Sequence, residues 1–316
     1  MTKLSPLAAP SATREVLASH GLSAKYALGQ NFLVNDGVLQ KIMSLAEVSP
    51  DDYVLEVGPG IGTLTIALLK NAGRVVSVER DADLPAVLAE TLAPWKERFG
   101  LVEKDALGFV EEDLNEISWP EEAVDPGHRA LPALPNKLVA NLPYAVAATL
   151  VLDYFQRFPS LGSATVMVQK EVADRMAAQK GTKNYGAYTV KLSLFAQPAG
   201  RFSVGPGCFL PPPRVESAVL RLNRRTPVDG EGHAIDAATV EAACTMADAS
   251  FANRRKTIAN SCKTFFGNRG DEGSRVLPCL PLLFERAGVD PRIRGEALSV
   301  EDFIRLGKAL LEIVNA

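Results

Sequence analysis

The sequence predicts an α/β fold, in which a parallel sheet is covered by helices on both faces, with a small α-helical domain after it. Apolar, β-branched runs alternate with helical patterns through the first half of the chain. These runs are apolar on successive residues, which is typical of strands that are buried on both faces. The end of the chain instead shows only helical spacing, over 234–262, 279–287 and 300–314.

The candidate strands of the sheet, of which the third is the weakest, are 53–58, 74–79, 100–105, 137–141 and 164–169. Between the first two strands, residues 63–73 have helical spacing, and Gly73 would end that helix. A Pro-rich stretch at 204–222 ends in an alternating strand. The acidic, Pro-rich stretch 111–135 is predicted to be a surface insertion.

These patterns divide the chain into three parts. Residues 1–24 are expected to form a flexible tail. Residues 25–225 are expected to form the α/β domain, and residues 226–316 the helical domain.

The composition excludes several classes of protein. The chain has 316 residues, of which 47% are hydrophobic and 22% are charged, as in ordinary globular domains. No apolar run has the length of a transmembrane helix, so no membrane partner is expected. The four cysteines and three histidines lack metal-ligand spacing, so neither a metal site nor a disulfide framework is expected. The scattered cysteines therefore predict a reducing, cytoplasmic setting. No heptads or long apolar patches suggest an obligate dimer, so a monomer is expected.

Polar residues follow the predicted strands at the edge where parallel sheets bind ligands. Gly58 and Gly60, after the first strand, let a backbone turn approach a ligand closely. Glu79, at the end of the second strand, could accept hydrogen bonds from both hydroxyls of a ribose, and Asp105 could accept one from an adenine amine. Together they indicate a cofactor that contains adenosine, although a tight turn without a ligand would also explain the glycines.

The segment NLPY (141–144), at the end of the strand 137–141, would face the reactive end of that cofactor. The N6 amine of adenine is a poor nucleophile because its lone pair is delocalised into the ring. The Asn141 side-chain oxygen and the backbone carbonyl of Leu142 or Pro143 could accept its hydrogens and free the lone pair. Tyr144 could stack on the base, so that positioning supplies most of the catalysis.

Taken in order, the motifs resemble those of the KsgA/RsmA-type ribosomal RNA adenine N6,N6-dimethyltransferases over residues 25–316. The matching segments are KYALGQNFLVND, VLEVGPGIGTLT, VVSVERD, EKDAL, VANLPY, VMVQKEVADRM, CFLPPPRVESAVLRL, SFANRRKTIANS and RIRGEALSVEDFIRLGKAL. The chain departs from the family pattern in the acidic insertion before KLVAN, which is longer than expected.

The resemblance implies a Rossmann-like class I methyltransferase sheet and S-adenosyl-L-methionine as the cofactor. Gln30, Asn31 and Leu33 would lie beside the cofactor together with Asn141, and Phe209 would be a second face against the target base. The implied substrate is two adjacent adenosines in a hairpin loop near the 3′ end of 16S rRNA in the small ribosomal subunit. Each adenosine would be methylated twice during ribosome biogenesis.

A basic cluster in the helical domain is the candidate RNA-binding surface. Arg254, Arg255, Lys256 and Lys263 lie in a window that contains no acidic residue, and they could contact phosphates. A solvated helix face would explain the same charges. Because the net charge of the chain is -3, we expect docking to need a folded ribosomal particle rather than bare RNA.

Three other functions are compatible with parts of the pattern. One is a neighbouring methyltransferase, either a DNA adenine methyltransferase or an Erm-type enzyme that acts on 23S rRNA, and the Erm-type enzyme would share nearly every motif. The C-terminal segments RRKTIAN and GEALSVEDF favour the small-subunit enzyme over it. A nicotinamide-dependent oxidoreductase would need the spacing G-x-G-x-x-G, but here the third glycine comes one residue early. An RNA-binding assembly factor would not need Asn141 and Tyr144.

Overall fold

The computed structural model describes residues 3–25, 28–119 and 131–315, which form two compact units. Unit 1 comprises Met1–Ala173 and Pro198–Arg224, and unit 2 comprises Asp174–Gln197 and Arg225–Ala316. The division after Arg224 lies beside the boundary that we placed at 225. Residues 174–197, however, belong to the helical unit, because the chain enters it once before the last strands of the sheet.

The helices of unit 1 are α1 (Pro10–Ser19), α2 (Asp36–Ala46), α3 (Thr63–Leu69), α4 (Leu84–Thr91), α5 (Ala147–Arg157) and α6 (Lys170–Met176), the last of which continues into unit 2. Its strands are β1 (Phe32–Leu33), β2 (Tyr53–Val57), β3 (Arg74–Glu79), β4 (Phe99–Glu103), β5 (Lys137–Asn141), β6 (Ser163–Gln169), β7 (Ala196–Val204), β8 (Phe209–Leu210) and β9 (Ser217–Arg224), and the first two residues of β7 belong to unit 2. The predicted strands of the parallel sheet are therefore confirmed, whereas β1, β7 and β8 were not predicted.

The described strands form a seven-stranded sheet in the order β4-β3-β2-β5-β6-β9-β7 and a separate β1-β8 pair. The first five strands run parallel, and β9 pairs antiparallel with β6. Strands β2 and β3 are buried almost throughout, because helices cover both faces of the sheet. From β2 the chain proceeds outward to β3 and β4, and it then returns to β5 on the other side of β2. This reversal creates the crevice in which such sheets bind ligands.

The prediction of a flexible tail over 1–24 is wrong for the described residues. Residues 10–19 form α1, and Leu17 packs in the hydrophobic core of unit 1 together with Leu7. The backbone N–H groups of Leu4 and Ser5 both donate to Asp36 Oδ1, at 2.8 and 3.1 Å. Apolar side chains and this shared carboxylate therefore hold the segment on the domain.

The first part of the predicted insertion also packs on the sheet. Residues 111–116 form a 3₁₀ helix, and the Trp119 ring makes an edge contact with Tyr53 at 5.7 Å between centroids. The Arg74 guanidinium lies 4.2 Å from the centroid of the Trp119 ring. Residues 120–130 of the insertion lie outside the described part of the chain.

The described helices of unit 2 are α7 (Ala187–Phe195), α8 (Ala237–Phe251), α9 (Ile258–Gly267), α10 (Gly270–Val276), α11 (Leu280–Ala287) and α12 (Val300–Val314). The predicted helix 234–262 is interrupted between α8 and α9, because the Thr257 side chain accepts from the Asn260 N–H and caps a new helix. Side chains from α8 and α12 meet in one core that includes Met246 and Phe303.

Candidate active site

A cavity of about 840 Å³ opens at the carboxyl ends of the parallel strands of unit 1. Its walls come from the segment before α2 and from the turns that follow β2, β3, β4 and β5. The cavity therefore lies at the point of the sheet where the strand order reverses. Its volume lies within the usual range for ligand pockets.

The glycine turn after β2 forms the floor of the cavity. Gly58 and Gly60 have φ angles of 70° and 60°, in the left-handed region that side chains with a Cβ atom disfavour. The Gly58 N–H donates to the Val78 carbonyl at 2.9 Å, which fixes the turn against β3. A Cβ atom at Gly60 would approach the Phe32 ring to 3.2 Å, so a side chain there would be crowded. Gly60 itself lines the cavity.

Glu79 lines the cavity at the end of β3 and is only 8% exposed. Its Oε1 accepts the N–H groups of Arg80 and Asp81, at 2.9 and 2.8 Å. Burial nevertheless raises the pKa of its carboxyl group, and the nearby Asp81 charge adds to that effect. Because a carboxylate has about four acceptor sites, capacity remains for the hydroxyls of a ribose.

Asp105 lies at the rim of the same cavity, after β4. Its Oδ1 accepts the Leu107 N–H at 3.0 Å, and its Oδ2 pairs with the Arg80 guanidinium at 3.1 Å. Half of its side chain is exposed. Each oxygen of the Asp105 carboxylate therefore already accepts one hydrogen bond, from Leu107 or from Arg80.

The amino-terminal motif covers another side of the cavity. Gln30 Nε2 donates to Asp81 Oδ2 at 2.7 Å, and Gln30 Oε1 accepts the Lys25 N–H at 2.9 Å. The Lys25 ammonium also pairs with Asp81. These contacts tie the segment to the loop after β3. Asn31 and Leu33 line the cavity as expected, and Leu33 is at the same time buried in β1.

Asn141, at the end of β5, lines the cavity. Its Nδ2 donates to the backbone carbonyl of Asn31 at 3.1 Å, which fixes the orientation of the amide. The Leu142 side chain is buried, and its N–H donates to the Met167 carbonyl at 3.0 Å. The amide oxygen of Asn141 remains as an acceptor for a ligand.

Pro143 and Tyr144 complete this wall. The Pro143 carbonyl accepts the N–H groups of Val146 and Ala147, both at 3.2 Å, so of the two proposed backbone acceptors Leu142 is the available one. The Tyr144 hydroxyl lies 2.6 Å from Ser217 Oγ on β9. Burial raises the pKa of Tyr144, so its ring carries a neutral phenol.

Phe209 does not lie where the sequence analysis expected it. It is 4% exposed, pairs with Leu33 in the β1-β8 ladder and packs in the hydrophobic core of unit 1. Burial of its ring in this core keeps it from presenting a face to a base. The following segment, Pro211–Val215, is the part of this motif that lines the cavity.

One buried carboxyl group in the cavity wall was missed by the sequence analysis. Glu56 is 1% exposed, and its Oε2 accepts hydrogen bonds from Thr65 Oγ1 at 2.7 Å and Ser77 Oγ at 2.8 Å. Burial raises its pKa to about 7, although the two hydroxyl bonds oppose the shift. A glutamate inside the apolar run YVLEVG was the available signal.

The predicted RNA-binding residues lie in unit 2, around the start of α9. The Arg254 guanidinium donates to the backbone carbonyls of Lys183 and Tyr185, so it helps to hold that segment in place. Arg255, Lys256 and Lys263 are exposed. Among the described residues, none of these three side chains has a hydrogen-bond or ion-pair partner, so their charges are available to a ligand.

No group of histidine, cysteine, aspartate and glutamate residues in the described part of the chain could hold a metal ion. No described helix combines the length and apolar character that crossing a membrane requires.

The chain is similar to known proteins over nearly its whole length. Residues 21–276 match the family model for ribosomal RNA adenine dimethylase. The Ribosomal RNA small subunit methyltransferase A of Enterococcus faecalis is 37% identical, covering 98% of each chain. That of Streptomyces griseus is 38% identical, covering 99% of this chain and 98% of the relative. The chain belongs to the ribosomal RNA adenine dimethylase family.

Solved structures agree with membership of the ribosomal RNA adenine dimethylase family. The 23S rRNA methyltransferase ErmE is 27% identical, with a TM-score of 0.58, and the match covers 89% of this chain and 99% of that one. A dimethyladenosine transferase from Plasmodium falciparum, at 23% identity and a TM-score of 0.68, shares the fold over 90% of this chain and 98% of that one. The predicted methyltransferase fold is therefore confirmed, and the protein is an enzyme of this family.

Proposed function

We propose that the protein transfers methyl groups from S-adenosyl-L-methionine to the N6 amines of two adjacent adenosines near the 3′ end of 16S rRNA. Each adenosine, in a hairpin loop of the small ribosomal subunit, receives two methyl groups during ribosome biogenesis. The observation that carries the proposal is that Asn141 and Tyr144 line the same cavity as Gly58 and Glu79. A base and a cofactor can thus meet in one compartment. The names of the relatives from E. faecalis and S. griseus support the small subunit as the substrate.

The residues of the cavity fit the proposed cofactor. The glycine turn exposes its backbone, the buried Glu79 retains acceptor capacity for ribose hydroxyls, and Asp105 lies where the adenine would end. Gln30, Asn31 and Leu33 would lie beside its methionine end. When bound, S-adenosyl-L-methionine supplies an electrophilic methyl group whose leaving group is a neutral thioether.

The protein's part in the reaction is to position the amine. Asn141 Oδ1 and the Leu142 carbonyl accept its two hydrogens, which turns its lone pair away from the ring and towards the methyl group. Tyr144 holds the base by stacking, and Ser217 fixes the tyrosine ring through the hydroxyl contact. Once the C–N bond has formed, the amine loses a proton to water. No histidine or cysteine lies among the described residues of the cavity wall to take that proton.

The substrate is tested by incubating the protein with labelled cofactor and either small or large ribosomal subunits that lack these methyl groups. We expect label only on the small subunit, and mass spectrometry of its nucleosides should show N6,N6-dimethyladenosine. Because ErmE is a 23S rRNA methyltransferase of similar fold, label on the large subunit alone would replace this substrate with the Erm-type one.

The cofactor can be tested without any RNA. S-adenosylhomocysteine at about 100 times its Kd should stabilise the protein by roughly 2.7 kcal/mol, which raises the melting temperature by several degrees. NAD at the same concentration should leave the melting temperature unchanged. Stabilisation by NAD alone would instead support an oxidoreductase.

Neutralising Arg255 and Lys256 together should weaken binding to the small subunit and flatten its salt dependence, because two phosphate contacts are lost. Arg254 is left in place, since its contacts with backbone carbonyls would confound the result. The matched control removes Arg286 and Arg292, whose charges already pair with Glu312 and Asp290. A slope that falls equally in both double variants would place the RNA surface elsewhere.

A further inference from the structure

Arg214 differs from the other basic residues of the cavity wall, Arg80 and Lys104, because they are paired with carboxylates and it is not. Arg80 pairs with Asp105 at 3.1 Å, and Lys104 pairs with Asp113 at 2.8 Å. Arg214 is exposed, lines the cavity and has no hydrogen-bond or ion-pair partner within the described ranges. Its charge is thus the uncompensated positive charge of the wall, and no internal contact has to be broken before it binds an anion.

The chain places Arg214 at the end of the cavity where the base is expected. Ser217, which contacts the Tyr144 hydroxyl at 2.6 Å, follows it closely on β9. The three prolines 211–213 precede it and fix their own φ angles, so the chain that leads to Arg214 is stiff. The paired Arg80, in contrast, follows β3 and contacts Asp105, at the adenine end of the proposed cofactor site.

We propose that Arg214 binds a backbone phosphate of the RNA strand that carries the target adenosine. The inference rests on the proposed function. A base that stacks on Tyr144 stays attached to its ribose and flanking phosphates, which remain towards solvent, and the exposed Arg214 lines the same cavity as Tyr144. A guanidinium binds phosphate through two parallel hydrogen bonds, so it would fix the register of the strand as well as adding affinity. The exposed Val215 beside it, at 44% relative accessibility, offers an apolar surface to the same nucleotide.

The test compares Arg214→Gln and Arg214→Lys with the control Arg14→Gln, which removes the same charge from an exposed residue of α1 outside the cavity. Methylation is measured on small subunits, and binding of the labelled protein to small subunits is measured by anisotropy at several salt concentrations. For Arg214→Gln we expect the KM for small subunits to rise about tenfold with kcat little changed. The salt slope of this binding should fall by about 0.7. Arg214→Lys should restore that slope but only part of the affinity, because an ammonium lacks the bidentate geometry.

Two outcomes would overturn the inference. In the first, the KM and the salt slope of Arg214→Gln equal those of the control. In the second, Arg214→Gln loses affinity for S-adenosylhomocysteine, which would assign the guanidinium to the carboxylate of the cofactor. If the proposed function itself is wrong, the natural protein will not transfer methyl groups to small subunits. The binding measurement still tests the role of Arg214 in that case.

Discussion

Asn141→Ala is expected to reduce methyl transfer by about 10³-fold, as the loss of one well-placed hydrogen-bonding group does in other enzymes. The substitution removes the acceptor that holds one hydrogen of the adenine amine, so the lone pair returns to the ring. It also removes the bond from Nδ2 to the Asn31 carbonyl, but that contact spans 3.1 Å at a half-buried site. Affinity for the cofactor should therefore change only a few-fold, because the glycine turn and Glu79 are untouched.

The measurement is single-turnover transfer to small ribosomal subunits, with S-adenosylhomocysteine binding determined by calorimetry on the same preparation. Unchanged binding shows that the variant is folded and that its cavity is intact. A variant that keeps full activity would remove Asn141 from the chemistry, and the position of the amine would then have to be set by backbone carbonyls alone.

The site could be predicted to a large extent because parallel strands bring their carboxyl ends together. Gly58, Glu79, Asp105 and Asn141 are far apart in the chain, but each lies at or just beyond the carboxyl end of a strand that the apolar runs had identified. All four line one cavity. That these residues meet at one edge of the sheet follows from strand direction alone. It can therefore be predicted without knowing how the side chains pack.

What could not be predicted depends on tertiary neighbours. Phe209 lies in a motif beside the cavity, but whether its ring faces a ligand or the core is decided by the pairing of β8 with β1. Strand β7 contains a proline and a glycine, and most of its residues are exposed, as an edge strand allows. Its sequence therefore carries little of the apolar signal that identified the buried strands.

The surroundings of Glu56 also could not be predicted, because its hydrogen-bond partners come from α3 and β3. A glutamate in an apolar strand signals a buried carboxyl group, but the sequence does not say which hydroxyls satisfy it. The structure supplies Thr65 and Ser77, and both bonds fall on one carboxyl oxygen. A neutral carboxyl group can accept the same two bonds, so the site tolerates a proton.

Glu56→Gln is accordingly expected to stabilise unit 1 by roughly 3 kcal/mol at pH 8 and to have little effect at pH 5. In the unfolded chain the glutamate loses its proton near its ordinary pKa of 4.5, whereas burial raises its pKa to about 7 in the folded protein. Between these values the folded state binds more protons, so the free energy of unfolding of the natural protein falls as the pH rises. Glutamine does not titrate and keeps an oxygen for Thr65 and Ser77.

Thermal unfolding of both proteins between pH 5 and pH 8 measures this effect. The melting temperature of Glu56→Gln should exceed that of the natural protein by several degrees at pH 8, and the difference should vanish towards pH 5. The exposed Glu103→Gln, at the end of β4, controls for the loss of one negative charge. A difference that is the same at every pH would mean that glutamine stabilises by packing, and that Glu56 is ionised in the folded protein throughout this range.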